Sequence, residues 1–160
     1  MLKNRHPAAM GGARPKVGGE RRKVENGDGM YDTWNMGRVY AEIRENGRSL
    51  WAMFDTGSKN TYITRAAAEG FFQRPAVVPL KVGLGGRQRT VDKICALAGT
   101  IEGKPVEVEA YVTEELSTDD SGRPVDVLFG ALAMQKWHIH VKPADEKLDM
   151  TNYPKEFIEY

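Results

Sequence analysis

The residues from Asp55 to Ser58 give this sequence its clearest chemical signal. The run Asp-Thr-Gly-Ser directly follows the apolar residues 50–54, so the carboxylate of Asp55 is expected at the end of a buried strand. A carboxylate in that position can bind a metal, attack as a nucleophile, or pair with a second carboxylate to activate water. The structural alternative is a polar turn that closes a buried strand.

The paired-carboxylate chemistry fits these residues best. A metal site needs further ligands at suitable spacing, and none is clear near Asp55. A phosphoryl-accepting aspartate usually has a second acid two residues later, where this chain has Gly57. In a carboxylate pair, repulsion between like charges keeps one group protonated. One carboxylate then accepts a proton from water while the other donates a proton to the substrate carbonyl.

The sequence supplies only one acid of such a pair. The nearest second match, Asp119–Gly122, reads "DDSG" in a polar loop and is interpreted as a turn. A second copy of the chain, related by a twofold axis, would complete the pair. We then expect Gly57 to let the two loops approach closely and the Thr56 hydroxyl to hydrogen-bond across the axis. The Ser58 hydroxyl is expected to donate to the carboxylate.

Hairpins are predicted on both sides of this motif. Residues 38–43 alternate in polarity and residues 49–54 are nearly continuously apolar, with the strong hairpin signal Asn46-Gly47 between them. Further along, two strand-like pieces flank residues 83–86, which read "GLGG". We interpret this tetrapeptide as the flexible tip of a second hairpin, and an ordinary hairpin turn is the alternative.

Helices are predicted in only two short segments. Thr64 can cap a helix that Gly70 ends, and residues 131–137 suit another. The remainder has short strands and regular turns, including an apolar strand at 125–130 and a terminal hairpin at 138–150. Strands and helices do not alternate along the chain. The pattern therefore predicts a small all-β barrel or sandwich.

Composition limits the class of protein further. The chain has 160 residues, of which 41% are hydrophobic and 28% charged, with a formal net charge of +1. These values are typical of one globular domain and favour neither a nucleic acid nor a membrane as partner. No run is apolar enough to span a membrane, and no secretory signal is visible, so we expect a cytoplasmic protein. The single cysteine, Cys95, excludes an internal disulfide and is expected in the core.

The N-terminal residues differ in composition from the remainder of the chain. Residues 1–30 hold seven basic residues, three acidic residues and six glycines, with almost no large apolar side chain. Such a stretch buries too little surface to offset its ordering entropy. Residues 1–33 are therefore predicted to be a disordered basic tail, a cloning remnant or a pro-segment. The folded domain is predicted at 34–150 and a C-terminal extension at 151–160.

Three segments together resemble a known family. In order and spacing, residues 51–63 ("WAMFDTGSKNTYI"), 82–86 ("VGLGG") and 125–141 ("VDVLFGALAMQKWHIHV") are similar to retropepsin-like aspartic proteases, particularly the bacterial retroviral-protease-like domains. The resemblance covers about residues 35–150. It implies a small closed acid-protease barrel with one or two short helices that functions as a homodimer.

The resemblance also implies roles for individual residues. Four residues correspond to the catalytic motif, with Asp55 as the catalytic aspartate: Asp55, Thr56, Gly57 and Ser58. Residues 80–91 resemble the flap hairpin that closes over a peptide, and residues 128–130 resemble the strand beneath the active-site loop. The substrate-binding residues implied by this match are Gly83, Leu84, Gly85, Gly86, Phe129 and Gly130. Arg87 and Arg89 depart from viral flaps, which carry small apolar residues there.

The sequence thus predicts a homodimeric aspartic endopeptidase, a hydrolase of extended peptide or protein substrates that needs no metal and no cofactor. The alternative is a retropepsin-like dimerisation or peptide-binding module with little or no turnover. A third option is a zymogen whose basic tail blocks the cleft. His138 and His140 would share one strand face, but no third metal ligand accompanies them. The buried face is instead predicted from Trp137, Ile139 and Val141.

Overall fold

The computed structural model describes residues 22–26, 29–33 and 38–155. The chain divides into two compact units, Met1–Trp34 and Asn35–Tyr160. In the first unit, strands β1 (Arg22–Asn26) and β2 (Gly29–Thr33) pair antiparallel. These two strands lie within residues 1–33, for which a disordered tail is predicted. The remainder of the predicted tail and residues 156–160 lie outside the described residues, so a disordered tail or pro-segment stays a prediction.

The second unit holds the residues of the Asp-Thr-Gly-Ser motif. Its elements in chain order are β3 (Arg38–Glu45), β4 (Arg48–Asp55), β5 (Thr61–Thr64), α1 (Arg65–Ala68), β6 (Gln73–Leu84), β7 (Arg87–Ile101), β8 (Lys104–Thr113), β9 (Val127–Phe129), α2 (Ala131–Trp137), β10 (His140–Lys142), a 3-10 turn (Pro143–Asp145) and β11 (Lys147–Asp149). Among the described residues of this unit, strands dominate and the helices are short, as the sequence predicted.

The strands form a closed barrel. Their order is β3-β4-β9-β5-β8-β7, and a pairing between β3 and β7 at Arg44 and Thr100 closes the ring. β6 pairs with β7 outside this ring. Gly99 permits the closure, because a Cβ at this position would lie 2.7 Å from the carbonyl oxygen of Arg44. The predicted small all-β barrel is therefore confirmed, and the closure makes it a barrel rather than a sandwich.

The predicted hairpins are present. β3 and β4 pair antiparallel around Asn46 and Gly47, whose φ angles of 45° and 76° suit a two-residue turn with both residues left-handed. β6 and β7 pair around Gly85 and Gly86, whose φ angles of 57° and 77° are also positive. The second hairpin projects beyond the ring at the side where β4 ends. We call it the flap hairpin, comprising residues 80–91.

The core fills the barrel interior. Its fully buried side chains include Ile43, Phe54, Leu97 and Phe129, and the rings of Phe54 and Phe129 lie 4.8 Å apart. Cys95 is also fully buried, which confirms its predicted place in the core. Because aromatic rings bury large areas, the Phe54–Phe129 contact ties β4 to β9 at the point where the motif begins.

The two helices and the terminal hairpin are present, but His138 caps the C-terminal end of α2 instead of sharing a strand face with His140, and Val141 is only half-buried. The Thr64 hydroxyl caps α1 by accepting a hydrogen bond from the Ala67 N–H at 3.2 Å. Trp137 and Ile139 are buried, whereas His138 and His140 are exposed. In the described part of the chain, no group of three or more His, Cys, Asp or Glu side chains is placed to hold a metal ion. No helix in the same residues is long and apolar enough to cross a membrane.

Candidate active site

Asp55 lies at the C-terminal end of β4, where the chain turns sharply. The Ser58 N–H donates to the Asp55 carbonyl at 3.2 Å, which closes the turn. The Gly57 N–H donates to Oδ1 of the Asp55 carboxylate at 2.8 Å. A Cβ at Gly57 would lie 3.1 Å from that same oxygen, a tight contact. Glycine therefore permits the close approach by which the backbone orients the carboxylate.

The loop that follows Asp55 rests on the start of α2. The Ala131 N–H donates to the Ser58 carbonyl at 2.7 Å, and the Leu132 N–H donates to the Lys59 carbonyl at 3.1 Å. A Cβ at Gly130 would lie 2.2 Å from the Asn60 carbonyl oxygen. Backbone meets backbone at this point, so only glycine fits without displacing the loop. Gly130, at the end of the apolar strand β9, therefore holds the loop after Asp55 in place.

β9 reaches this loop from far along the chain. It pairs parallel with β4 and antiparallel with β5, and Leu128 is the register partner of both Met53 and Tyr62. The Gly130 N–H donates to the Thr61 hydroxyl at 3.0 Å in a buried position. The predicted strand beneath the active-site loop therefore lies between the two strands that flank that loop.

The Ser58 hydroxyl does not have the predicted partner. We expected it to donate to the Asp55 carboxylate, but it donates to the carbonyl oxygen of Asn60 at 3.0 Å. The reason is local, because the sharp turn brings Ser58 over the loop backbone while the Gly57 N–H occupies Oδ1 of Asp55. Thr56 is exposed at the tip of the turn. Its proposed bond across a twofold axis stays a prediction.

A cleft of about 730 Å³ opens over the Asp55 carboxylate. Its floor is apolar and its roof is the flap hairpin. Of the residues predicted to bind substrate, Gly83, Leu84 and Gly85 line it. Gly86 is exposed at the flap tip and is not among the lining residues. The structure thus brings three residues of the predicted catalytic motif, Asp55, Gly57 and Ser58, to one cavity with most of the predicted flap residues.

Phe129 and Gly130 do not reach this cleft, which corrects the expectation that they bind substrate. Phe129 is the register partner of Phe54, so both side chains point to the barrel interior and both are fully buried. Leu128, one residue earlier, points to the opposite face and lines the cleft. Gly130 is enclosed by the backbone of the active-site loop. These two residues support the site from below.

Residues that sequence reasoning did not assign also line the cleft. The apolar ones on the floor are Met53, Tyr62 and Leu128. A signal for Met53 was present, because residues two apart on a strand share a face and Met53 is two residues before Asp55. The charged ones are Arg38, Lys59 and Glu115, which accompany Arg87 and Arg89 of the flap hairpin.

Arg38 contacts the Asp55 carboxylate directly. It is the register partner of Asp55 across the β3–β4 hairpin, and its Nε lies 3.4 Å from Oδ2. The Arg38 side chain is 53% exposed, whereas the Asp55 side chain is only 14% exposed. One carboxylate oxygen therefore faces the backbone N–H of Gly57 and the other faces a guanidinium.

The "DDSG" segment is a turn, as predicted. The Gly122 N–H donates to the Asp119 carbonyl at 3.0 Å. The Ser121 hydroxyl donates to the Asp119 carboxylate at 2.7 Å, and this bond above all holds the pKa of Asp119 below its usual value. Trp51 donates its indole N–H to the same carboxylate at 2.9 Å. Asp119 therefore fastens a loop to β4 and lies outside the cleft lining.

Several solved structures are similar to this chain. The retroviral protease-like domain of Ddi1 from Leishmania major matches with a TM-score of 0.51 and 20% identity, over 73% of this chain and 90% of that domain. The foamy virus protease–reverse transcriptase gives a TM-score of 0.44 and 14% identity over 63% of this chain, which spans 12% of that protein's length. A Legionella pneumophila protein of unknown function gives 0.41 and 14%, over 68% of this chain and 91% of its own. No protein-family model and no curated protein matches the sequence.

The closed barrel and the Ddi1 comparison together define the class of protein. The chain has a mostly β, retropepsin-like fold with few short helices. An identity of 20% supports a similarity of fold alone. What the site does must be argued from its own residues.

Proposed function

We propose that this protein is an aspartic endopeptidase that acts as a homodimer. One observation carries the proposal. The Asp55 carboxylate lies at the end of a buried strand, is oriented by the Gly57 N–H at 2.8 Å, and faces a cleft roofed by a glycine-containing hairpin. Because the chain holds one Asp-Thr-Gly motif, a second copy must supply the other carboxylate.

In the proposed mechanism, the two Asp55 carboxylates share one proton and hold a water molecule between them. The ionised group accepts a proton from this water while its oxygen attacks the peptide carbonyl carbon. The protonated group gives its proton to the carbonyl oxygen. The group that took the proton of water passes it to the amide nitrogen as the C–N bond breaks, and the other group takes back a proton from a hydroxyl of the diol intermediate, which restores the single shared proton. Because the pair titrates as a unit, the acid and base roles belong to the dimer.

The cleft suits an extended peptide. The flap hairpin offers backbone groups for main-chain hydrogen bonds, as in the addition of a strand to a sheet edge. Val82 and Leu84 pack against the cluster that includes Met53 and Leu128, so an apolar substrate side chain would be enclosed between roof and floor. These contacts support a protein or peptide substrate.

A second candidate is a retropepsin-like dimerisation or peptide-binding module with little or no turnover. The Arg38 guanidinium favours it, because a carboxylate oxygen engaged by a cation at 3.4 Å is less available to contact a water molecule. The zymogen alternative concerns residues outside those that the structure describes, and a cytoplasmic location stays a prediction.

Replacing the Asp55 carboxylate tests the enzyme against the binding module. We expect Asp55→Asn to abolish peptide cleavage, since an amide cannot accept the proton of water. The matched control is Asp92→Asn, a change at an exposed residue of β7 outside the cleft lining. Sedimentation velocity would show whether both variants keep the dimer. Cleavage retained by Asp55→Asn would overturn the mechanism, and an absence of cleavage in the unchanged dimer would favour the binding module.

A further inference from the structure

The cleft carries more positive than negative side chains. Among the described residues that line it, the basic ones are Arg38, Lys59, Arg87 and Arg89, and the acidic ones are Asp55 and Glu115. Arg38 is engaged with Asp55. Both flap arginines point to a single oxygen, Oε1 of Glu115, from which Arg89 Nη2 lies 3.0 Å away and Arg87 Nη1 3.8 Å away. The Glu115 carboxylate thus pairs with two guanidinium groups, so one positive charge on the flap hairpin is not neutralised.

These arginines share a face of the flap hairpin with its apolar side chains. Arg89 is the register partner of Val82, and Arg87 is the register partner of Leu84. Directly opposed residues in an antiparallel pair point to the same side. Val82 and Leu84 pack against the cluster of Met53, Tyr62 and Leu128. The roof therefore presents apolar contact and positive charge next to each other.

Arg89 is the most confined of these cations. Its side chain is 20% exposed, compared with 76% for Arg87. Its Nε is buried and has no hydrogen-bond partner within the described part of the chain. A guanidinium in partly dry surroundings with a free N–H favours an anionic acceptor, because charge-assisted hydrogen bonds offset the cost of its desolvation. Planar guanidinium groups suit carboxylates in particular.

We propose that this cleft selects acidic peptides, in which an aspartate or glutamate side chain flanks the apolar residue seated between Val82, Leu84 and the floor. Arg89 is the specificity-determining residue and Arg87 adds to it. Glu115 occupies the same guanidinium groups and so competes with the substrate carboxylate. The inference rests on the proposed protease function for its kinetic test, although acid recognition by the cleft is measurable without turnover.

Matched peptides measure the preference. Fluorogenic peptides with a central Leu-Phe pair would carry glutamate, glutamine or lysine beside that pair, and kcat/KM would be compared for each. We expect the glutamate peptide to be cleaved about tenfold faster than the glutamine peptide, as for one charge-assisted hydrogen bond, and the lysine peptide to be cleaved slowest. Equal values for glutamate and glutamine peptides would overturn the proposal while leaving the protease function intact.

Variants assign the preference to the flap arginines. Arg89→Gln should bring the glutamate-to-glutamine ratio close to one, and Arg87→Gln should lower it less. The matched control Arg74→Gln removes a cation of β6 that pairs with Glu109 outside the cleft lining, and should keep the ratio. Glu115→Gln removes the competing carboxylate and should raise the ratio. A ratio that stays high in Arg89→Gln, or that falls in Glu115→Gln, contradicts the assignment.

Two further measurements cover failures of folding or of turnover. If circular dichroism shows that Arg89→Gln does not fold, the glutamate-to-glutamine ratio of the wild-type protein is measured at about 0.05 M and about 0.5 M salt instead. The ratio should fall at the higher salt concentration, because screening reduces a preference that depends on charge. An unchanged ratio would contradict the proposal. If no peptide is cleaved, fluorescence anisotropy measures binding of the same peptides to the wild-type chain. Tighter binding of the glutamate peptide would support selection of acidic peptides by the cleft although the protease function fails. Equal binding would overturn the preference for acidic peptides as well.

Discussion

The guanidinium of Arg38 lies 3.4 Å from the carboxylate of Asp55, and the two residues are register partners at the open end of the β3–β4 hairpin. The contact follows from that register, which puts the first residue of β3 opposite the last residue of β4. In the proposed dimer, two such guanidinium groups would flank two carboxylates that must share one proton. Each guanidinium therefore engages a carboxylate oxygen that the proposed water molecule would have to contact.

The first prediction concerns the contact between Arg38 and the carboxylate. Arg38→Gln should raise kcat/KM, because loss of the guanidinium frees Oδ2 of Asp55 to accept a hydrogen bond from the attacking water molecule. The expected change in kcat/KM is about two- to fivefold, since Arg38 is half exposed and its ion pair is partly screened. Arg44→Gln, which removes an exposed cation of β3 paired with Glu42, is the control. An equal change in both variants would refute a specific role for Arg38.

The second prediction concerns the glycine beneath the loop. Gly130→Ala should lower the free energy of unfolding by about 2–3 kcal/mol, because its Cβ would collide with the Asn60 carbonyl at 2.2 Å. Gly83→Ala is a suitable comparison, since a Cβ there meets nothing within 4 Å. Urea unfolding of both variants measures the difference. If Gly130→Ala lowers the free energy of unfolding no more than Gly83→Ala does, the loop moves readily to accommodate the added Cβ.

The third prediction separates two neighbours in the catalytic motif. Gly57→Ala should reduce kcat by about tenfold or more with a small change in stability, because its Cβ presses on Oδ1 of Asp55 at 3.1 Å and displaces a group that must be held within about 0.5 Å. Ser58→Ala should show the reverse pattern, a loss of about 1 kcal/mol of stability with kcat largely retained, because its hydroxyl bonds to Asn60. Steady-state kinetics and thermal unfolding of the two variants check the contrast. If kcat falls more in Ser58→Ala than in Gly57→Ala, the Ser58 hydroxyl donates to the Asp55 carboxylate, as the sequence predicted.

The fourth prediction concerns the buried cysteine. Burial raises the pKa of the Cys95 thiol from 9.0 to about 11, although the nearby charge of Arg48 opposes the shift. The native protein should therefore react slowly with a thiol reagent near neutral pH and the urea-unfolded chain quickly, because the thiolate is the nucleophile. Rapid modification under native conditions would contradict the structure.

The raised pKa of Cys95 also predicts that the protein becomes less stable at high pH. The unfolded chain loses the thiol proton first, so deprotonation favours unfolding between pH 9.0 and pH about 11. The free energy of unfolding should fall across this window, by about 1–2 kcal/mol from this residue. Cys95→Ala should fall less steeply across the same window. Parallel pH profiles for the two proteins would show that other groups control the loss.

Local chemistry accounts for what the sequence determined. Asn46-Gly47 and Gly85-Gly86 need positive φ angles, which fixes two-residue turns and therefore the register of the strands on either side. The alternation of side chains then predicts a small all-β barrel or sandwich. The Asp-Thr-Gly-Ser motif after an apolar strand is equally local, and so is the cap at Thr64. Each of these features depends on residues within a few positions of one another.

The tertiary structure alone decided which residues from distant strands meet at Asp55. β9 lies between β4 and β5, and the parallel pairing of Met53 with Leu128 has no turn to set its register. A shift of one residue in that register would exchange Leu128 and Phe129 between cleft and core. Side-chain pairings such as Arg89 with Glu115 depend on how the closed ring brings β7 beside the loop after β8. A sequence records the local turns, but long-range register is selected by packing of the whole barrel.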